Sequence, residues 1–154
     1  MNTLILYDSK FGNTKQIAEA IGGSLNPQDH IEICHVNGVN PNQLKGVEFL
    51  IVGSPTQKFK PTKAIVDFIN GIPANGLNGI KVAAFDTRIS IKDVNSRLLN
   101  LFVKIFGFAA EPMAKLLKRK GGNLVVPPAG FIVTDTEGPL KDGELERVSA
   151  WIKS

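Results

Sequence analysis

Five apolar, β-branched-rich runs separated by helically patterned stretches constrain this 154-residue chain more than any other feature. The runs cover residues 3–7, 31–36, 49–53, 81–85 and a divided fifth at 124–126 plus 131–133. Three of them are nearly unbroken hydrophobics, the pattern of strands covered on both faces. The helical stretches are 14–22, 62–72, a long region over 95–120, and 143–153. Asp142 suits the N-cap of the last helix, with Glu144 and Glu146 in its first turn. Between the second and third runs only a short turn or helix near 41–45 fits. Strands alternating with helices imply right-handed parallel crossovers, and so an α/β three-layer sandwich around a five-stranded parallel sheet. No linker, repeat or low-complexity segment interrupts the pattern, so residues 1–154 read as one domain.

Such a sheet binds ligands outside the carboxyl ends of its strands, where the strand order reverses. Three loops meet there. The first, Ser9-Lys10-Phe11-Gly12-Asn13-Thr14, joins an apolar run directly to a helix. Free backbone N–H groups and the positive helix end converge on one spot, while the hydroxyls and Gly12 allow close approach, which makes it an anion site. The second loop reads Ser54-Pro55-Thr56-Gln57-Lys58-Phe59 and the third Asp86-Thr87-Arg88-Ile89-Ser90.

Rival nucleotide loops do not match. A Walker-type loop requires a lysine before the Ser/Thr that opens the helix, and Gly12-Asn13-Thr14 lacks it. A dinucleotide fingerprint requires three spaced glycines, and only Gly12 is present. A phosphorylatable receiver requires an Asp ending the third strand, which here ends Gly53-Ser54-Pro55. A turn without a ligand would leave the other two loops at the same edge unexplained.

Composition narrows the class further. With 43% hydrophobic and 21% charged residues the chain suits a soluble globular protein, and no apolar run reaches membrane-span length. The N-terminus lacks signal-peptide regions, and the single cysteine, Cys34, excludes internal disulfides and reads as a small core residue. A cytoplasmic setting is the expectation. Lysines cluster at 58–63 and 115–120 within a net charge of +4, but one Tyr, one Trp and no nucleic-acid motif argue against nucleic acid. No metal-ligand spacing and no nucleophile–base pair occurs, so neither a metal site nor a catalytic residue is expected. Trp151 reads as core; His30 and His35 read as structural and remote from the ligand edge. The stretch 91–108 is too apolar for one exposed helix and reads as core, lid or subunit contact.

The arrangement resembles the flavodoxin family, whose strand order is 2-1-3-4-5. The loop 9–14 is similar to that family's Ser/Thr-x-Thr-Gly-Asn-Thr phosphate loop, and the loop 54–59 resembles its Gly-Ser-Pro-Thr ring-bordering loop. The third matches the loop on the ring's other side in position. The resemblance implies non-covalent FMN. Ser9, Lys10, Phe11, Gly12, Asn13 and Thr14 would meet its phosphate. Pro55, Thr56, Gln57, Lys58, Phe59, Asp86, Thr87, Arg88 and Ile89 would meet its ring. It also implies electron transfer, either to a redox protein or, as an FMN-dependent NAD(P)H:quinone-type reductase, to a small planar acceptor such as a quinone. A flavin-free binding module is the third reading.

Two departures matter. Phe11 stands where the family has a hydroxyl residue, which removes a phosphate donor or turns the ring toward the rim. Family members are strongly acidic, whereas this chain is basic, so an acidic partner is expected, with the protein a monomer or homodimer. Lys58 and Arg88 near the ring, with no acid over 54–60, would make the potential less negative than in acidic relatives.

Overall fold

The computed structural model of the chain describes residues 1–89 and 108–154. Strands β1 (Asn2–Tyr7), β2 (His30–His35), β3 (Phe49–Pro55), β4 (Lys81–Ile89), β5 (Asn123–Leu124) and β6 (Ala129–Val133) form one parallel sheet. Its order is β2-β1-β3-β4-β5, with β6 also on β4. Helices α1 (Asn13–Ser24), α2 (Lys63–Gly71), α3 (Ala110–Arg119) and α4 (Glu144–Ile152) cover the two faces.

The divided fifth run is a single sheet position. β5 pairs with the start of β4 (Lys81↔Asn123) and β6 with its end (Phe85↔Ala129 through Ile89↔Val133). Pro127 and Pro128 fall in the gap, where two residues without N–H groups cannot continue a ladder. β4 itself runs to Ile89, so residues 86–89, expected in a loop, finish a strand. Ladder pairing of Ser54↔Asp86 and Pro55↔Thr87 on one side and of Arg88↔Ile132 on the other explains the extension. Between β2 and β3 the chain forms only a 3-10 turn (Val36–Gly38) and further turns. Of the long region 95–120, the described part holds α3.

Side chains alternate between two cores. Leu6, Leu50, Val52 and Ala84 meet Ile65, Phe68, Met113 and Leu117 on the α2/α3 face. Ile5, Ile51, Ala83 and Phe85 meet Ile17, Ile21, Val148 and Trp151 on the α1/α4 face. Each large apolar side chain buried this way contributes about 1.5–3 kcal/mol. Phe85, Phe131 and Trp151 form an edge-to-face triangle with centroids 5.8–6.3 Å apart. Trp151 is thus core, with its indole N–H donating to the Pro127 carbonyl at 2.7 Å. Gly53 is required beneath this triangle, because a Cβ there would lie 2.0 Å from the Phe85 ring. Cys34 packs partly buried against the first core, and burial followed by the nearby Glu32 pushes its thiol up.

The last helix starts differently from expectation. Its N-cap is Gly143, at φ 89°, with no side-chain cap. Asp142 therefore does not cap it. Glu144 ties this end instead: its carboxylate accepts the Ile132 N–H at 2.6 Å and two Arg147 hydrogen bonds at 2.7 and 3.1 Å. Burial alone would push this carboxyl up. The Arg147 and Ile132 hydrogen bonds and the charges of Arg147 and Lys141 outweigh burial and hold it below the usual range. A depressed native value means that this stabilisation is complete above the unfolded value of about 4.3 and is lost as pH falls through the native one. Glu144→Gln should flatten the acid limb of the stability profile, checked by urea unfolding from about pH 6 to about pH 3.

Candidate functional site

The loop after β1 is organised by its own short side chains. The Ser9 N–H donates to Asp8 Oδ1 at 2.9 Å, and the Gly12 N–H donates to Ser9 Oγ at 3.0 Å. Gly12, at φ 91°, supplies the left-handed turn that aims the chain into α1, a conformation that disfavours other residues. No side chain caps α1. Among the described residues, nothing accepts the backbone N–H groups of Lys10, Phe11, Asn13 and Thr14. Asn13 and Thr14 are buried while Lys10 and Phe11 are exposed, so these donors line a spot at a helix N-terminus that is open on one side.

His35 is not remote from this loop. Parallel pairing of Tyr7 with His35 carries it to the same sheet edge, and its Nε2 lies 3.2 Å from Asp8 Oδ1. Its Nδ1 accepts the Asn37 N–H at 3.1 Å, which leaves Nε2 to carry the proton toward Asp8. His30 is exposed beside Glu32 at the other end of β2.

After β3 the chain makes a tight reversal. The Thr56 N–H donates to the Thr87 carbonyl at 2.9 Å, and Gln57 and Lys60 exchange backbone hydrogen bonds at 2.8 and 2.9 Å. Between them Lys58 (φ 48°) and Phe59 (φ 69°) are both left-handed, as a two-residue turn of this kind demands. Side chains with a Cβ make that turn strained by about 1–2 kcal/mol per residue. Lys58→Gly is therefore expected to raise stability by about 0.5–1 kcal/mol once the extra freedom of glycine in the unfolded chain is subtracted. Its urea midpoint, compared with that of the unaltered protein, checks this.

At the end of β4 the side chains divide by face. Thr87 Oγ1 meets Thr14 Oγ1 at 2.9 Å, linking β4 to the first loop. Asp86 is fully buried and holds Arg88 through two 2.7 Å hydrogen bonds while accepting the Ala110 N–H at 2.8 Å. Burial pushes the Asp86 carboxyl up against the opposing pull of Arg88 and the Ala110 N–H. The guanidinium lies over Gly130, where a Cβ would come within 1.9 Å of it, and 3.8 Å from the centre of the Phe108 ring. Arg88 is thus half of an ion pair, not a free cation. Residues 91–107 of the apolar stretch lie outside the described residues.

Two adjoining cavities result. One of about 100 Å³ is lined by Ser9, Lys10, Phe11, Asn13, Thr14, Pro55, Thr56, Thr87, Arg88 and Ile89, and also by Val133 and Thr136. The other, of about 650 Å³, is lined by Lys10, Phe11, Pro55, Thr56, Gln57, Lys58, Lys60, Pro61, Thr62, Lys63 and Thr136. Gly12, Phe59 and Asp86 line neither. Gly12 shapes the first loop, Phe59 sits in the turn, and Asp86 serves the fold. Phe11 is 44% exposed and lines both, so its ring is at the rim.

Val133 and Thr136 were not legible as site residues. β6 pairing brings Val133 to the edge, and the Asn13 Nδ2 donates to the Glu137 carbonyl at 3.1 Å to hold the loop that carries Thr136 there. Gly138, at φ 100°, makes this approach possible, since a Cβ would lie 2.6 Å from the Asn13 amide. An isolated Gly-Pro pair was the only local sign of it.

A dianionic phosphate fits the first loop, whose unpaired N–H donors, helix end and flanking Ser9 and Thr14 hydroxyls offer no opposing carboxylate in the lining. Apolar surface from Phe11, Pro55 and Ile89 beside polar backbone suits a flat heterocycle. Among the described residues no helix is long and apolar enough to cross a membrane.

Comparison with known proteins agrees with this fold. A family model described as a flavodoxin domain matches residues 4–96. An archaeal flavodoxin superposes with a TM-score of 0.76 at 22% identity, over 98% of this chain and 93% of that one. Flavodoxin 1 of Bacillus cereus gives 0.77 at 19% identity, over 99% and 98%. The rubredoxin oxygen:oxidoreductase of Desulfovibrio gigas gives 0.73 at 16% identity, over 99% of this chain but 34% of that larger one. No curated protein matches the sequence. The structural likenesses speak for the fold, while the family match covers more than half of the chain: the protein belongs to the flavodoxin domain family, whose members bind FMN non-covalently and transfer electrons.

Proposed function

We propose that this chain holds FMN with its phosphate in the loop 9–14 and its ring along Pro55–Lys58 and Thr87–Ile89, and exchanges electrons at the exposed ring edge. The observation that carries this reading is the uncapped start of α1, with four unaccepted N–H groups at the carboxyl edge of the sheet. Bound FMN would supply one- or two-electron redox chemistry; the protein supplies binding, orientation and electrostatics. Ser9 and Gly12 shape the phosphate loop, Thr14 and Thr87 join it to β4, and Pro55 and Phe11 shield the flavin from water.

Titrating the FMN-free protein with FMN tests it. Flavin fluorescence should be quenched at one equivalent, and riboflavin, lacking the phosphate, should bind far more weakly. Protein that purifies colourless and leaves FMN fluorescence unchanged would favour a flavin-free module and defeat the reading.

The lysine-bearing turn bears on the potential. Lys58 lines the larger cavity, residues 54–60 contain no acid, and the Arg88 charge is neutralised by Asp86. A cation near the cofactor favours its more negative, reduced form. The midpoint potential is therefore expected to lie above that of flavodoxins with acidic ring loops, and Lys58→Glu should lower it in a potentiometric titration. A basic edge suits an acidic redox-protein partner.

A further inference from the structure

We propose that His35 is a positioning residue for the phosphate loop: it holds the Asp8 carboxylate and offsets its charge, and so sets how tightly the loop 9–14 takes a phosphate. This deepens the function proposed above and rests on it for the phosphate in that loop. The contacts that carry it lie within this chain alone.

Asp8 stands at the entrance to the loop, an unfavourable place for a carboxylate beside an anion site. Its backbone N–H donates to the Gly53 carbonyl at 3.1 Å, which pins it to β3. Its Oδ1 accepts the Ser9 N–H at 2.9 Å, and Ser9 Oγ in turn accepts the Gly12 N–H at 3.0 Å. The carboxylate thereby shapes the turn that leaves the other donors free. It lines neither cavity, yet it is the neighbour of Ser9, which lines the smaller one, so its charge opposes a dianion there through space. An uncharged acceptor would shape the same turn without that repulsion. Among the described residues, the one basic side chain paired with Asp8 is His35, whose Nε2 lies 3.2 Å from Oδ1.

The imidazole is fixed from three sides. Parallel register sets His35 opposite Tyr7, the residue before Asp8. The Tyr7 ring packs edge-on against it, with centroids 5.5 Å apart and planes at 85°. The Asn37 N–H donates to Nδ1 at 3.1 Å, which leaves the Nε2 proton for Asp8. The ring thus meets two titratable groups, Asp8 and Tyr7, and the turn Val36–Gly38 that follows carries none. The side chain is 38% exposed, so protons reach it from solvent. Histidine takes up charge between about pH 8 and about pH 5. Neutral His35 orients the carboxylate; charged, it also cancels it.

Fluorescence titration with FMN and with riboflavin, from about pH 8 to about pH 5.5, tests the proposal. His35→Gln keeps an N–H for Asp8 but cannot charge, whereas His35→Ala does neither. At the alkaline end the Gln variant should bind FMN nearly as tightly as the unaltered protein, and the Ala variant more weakly than both. As pH falls, the unaltered protein should outbind the Gln variant by about fivefold, the effect of one charge about 8 Å from another at an effective dielectric of about 40. The phosphate's own titration is common to both proteins and cancels in that ratio. Riboflavin affinity should show no such trend, and His30→Ala, at the far end of β2, should leave the FMN profile unchanged. Asp8→Asn, which keeps an acceptor for Ser9 without the charge, should tighten FMN binding at the alkaline end. In the FMN-free protein the Ser9 and Gly12 amides should exchange faster with deuterium in His35→Ala but not in His35→Gln. A ratio that does not change with pH, an equal loss of FMN and riboflavin affinity, weaker FMN binding by Asp8→Asn, or unchanged exchange in a folded His35→Ala would overturn the proposal. Failure of the unaltered protein to bind FMN would defeat the cofactor reading instead, and the amide exchange then decides by itself whether His35 positions the loop.

Discussion

Asp86→Ala is expected to destabilise the protein by about 3 kcal/mol, the low end of the roughly 3–5 kcal/mol cost of breaking a buried ion pair. The carboxylate serves three donors: two on Arg88 and the Ala110 N–H that opens α3. Removing it leaves a cation and a backbone donor with no acceptor among the described residues. The Arg88 side chain retains 20% exposure, so water partly replaces the lost partner, which sets the estimate at the low end. Asp86→Asn should cost less, because its amide oxygen keeps one acceptor. Urea unfolding should show a lower midpoint with unchanged slope. A midpoint within about 0.5 kcal/mol of the unaltered protein would show the pair to be dispensable.

Phe11→Asp is expected to weaken FMN binding about 100-fold while leaving the fold unchanged. Phe11 is 44% exposed and makes no core contact, so its replacement leaves no buried void. A carboxylate placed about 5 Å from the phosphate costs about 3 kcal/mol at an effective dielectric of about 20, which corresponds to roughly that factor in Kd. Riboflavin affinity should fall much less. This comparison separates phosphate repulsion from loss of the aromatic wall, and fluorescence titration of both ligands reads it out. An equal loss for FMN and riboflavin would assign Phe11 to the ring alone.

The architecture was legible because it depends on patterns that extend along the chain. Unbroken runs such as 49–53 can be satisfied only by coverage on both faces, and the α/β crossovers then follow from handedness. The first loop was legible for a similar reason, since its strand-to-helix junction and Gly12 are neighbours in sequence. Other features were not. Asp142 resembles a helix cap, yet Gly143 occupies that position and Glu144 supplies the tie, because the Ile132 N–H that it accepts arrives from another strand. The polar string 86–89 has the composition of a loop, yet ladder partners on both sides extend β4 through it.

His35 and Thr136 illustrate the same division at the site. Neither residue type by itself signals involvement; register alone brings His35 to Asp8, and a contact across 124 residues, Asn13 to Glu137, holds the Thr136 loop in place. The amino-acid order alone therefore determined the layers and the strand-to-helix junction at Gly12, which follow from periodicity and short-range backbone geometry, while the strand order was implied by the family resemblance. Tertiary structure decided which charges are free. It paired Arg88 with Asp86 and gave Lys58 and Lys60 no acidic partner among the described residues, because ion pairing depends on distances that only the assembled sheet sets.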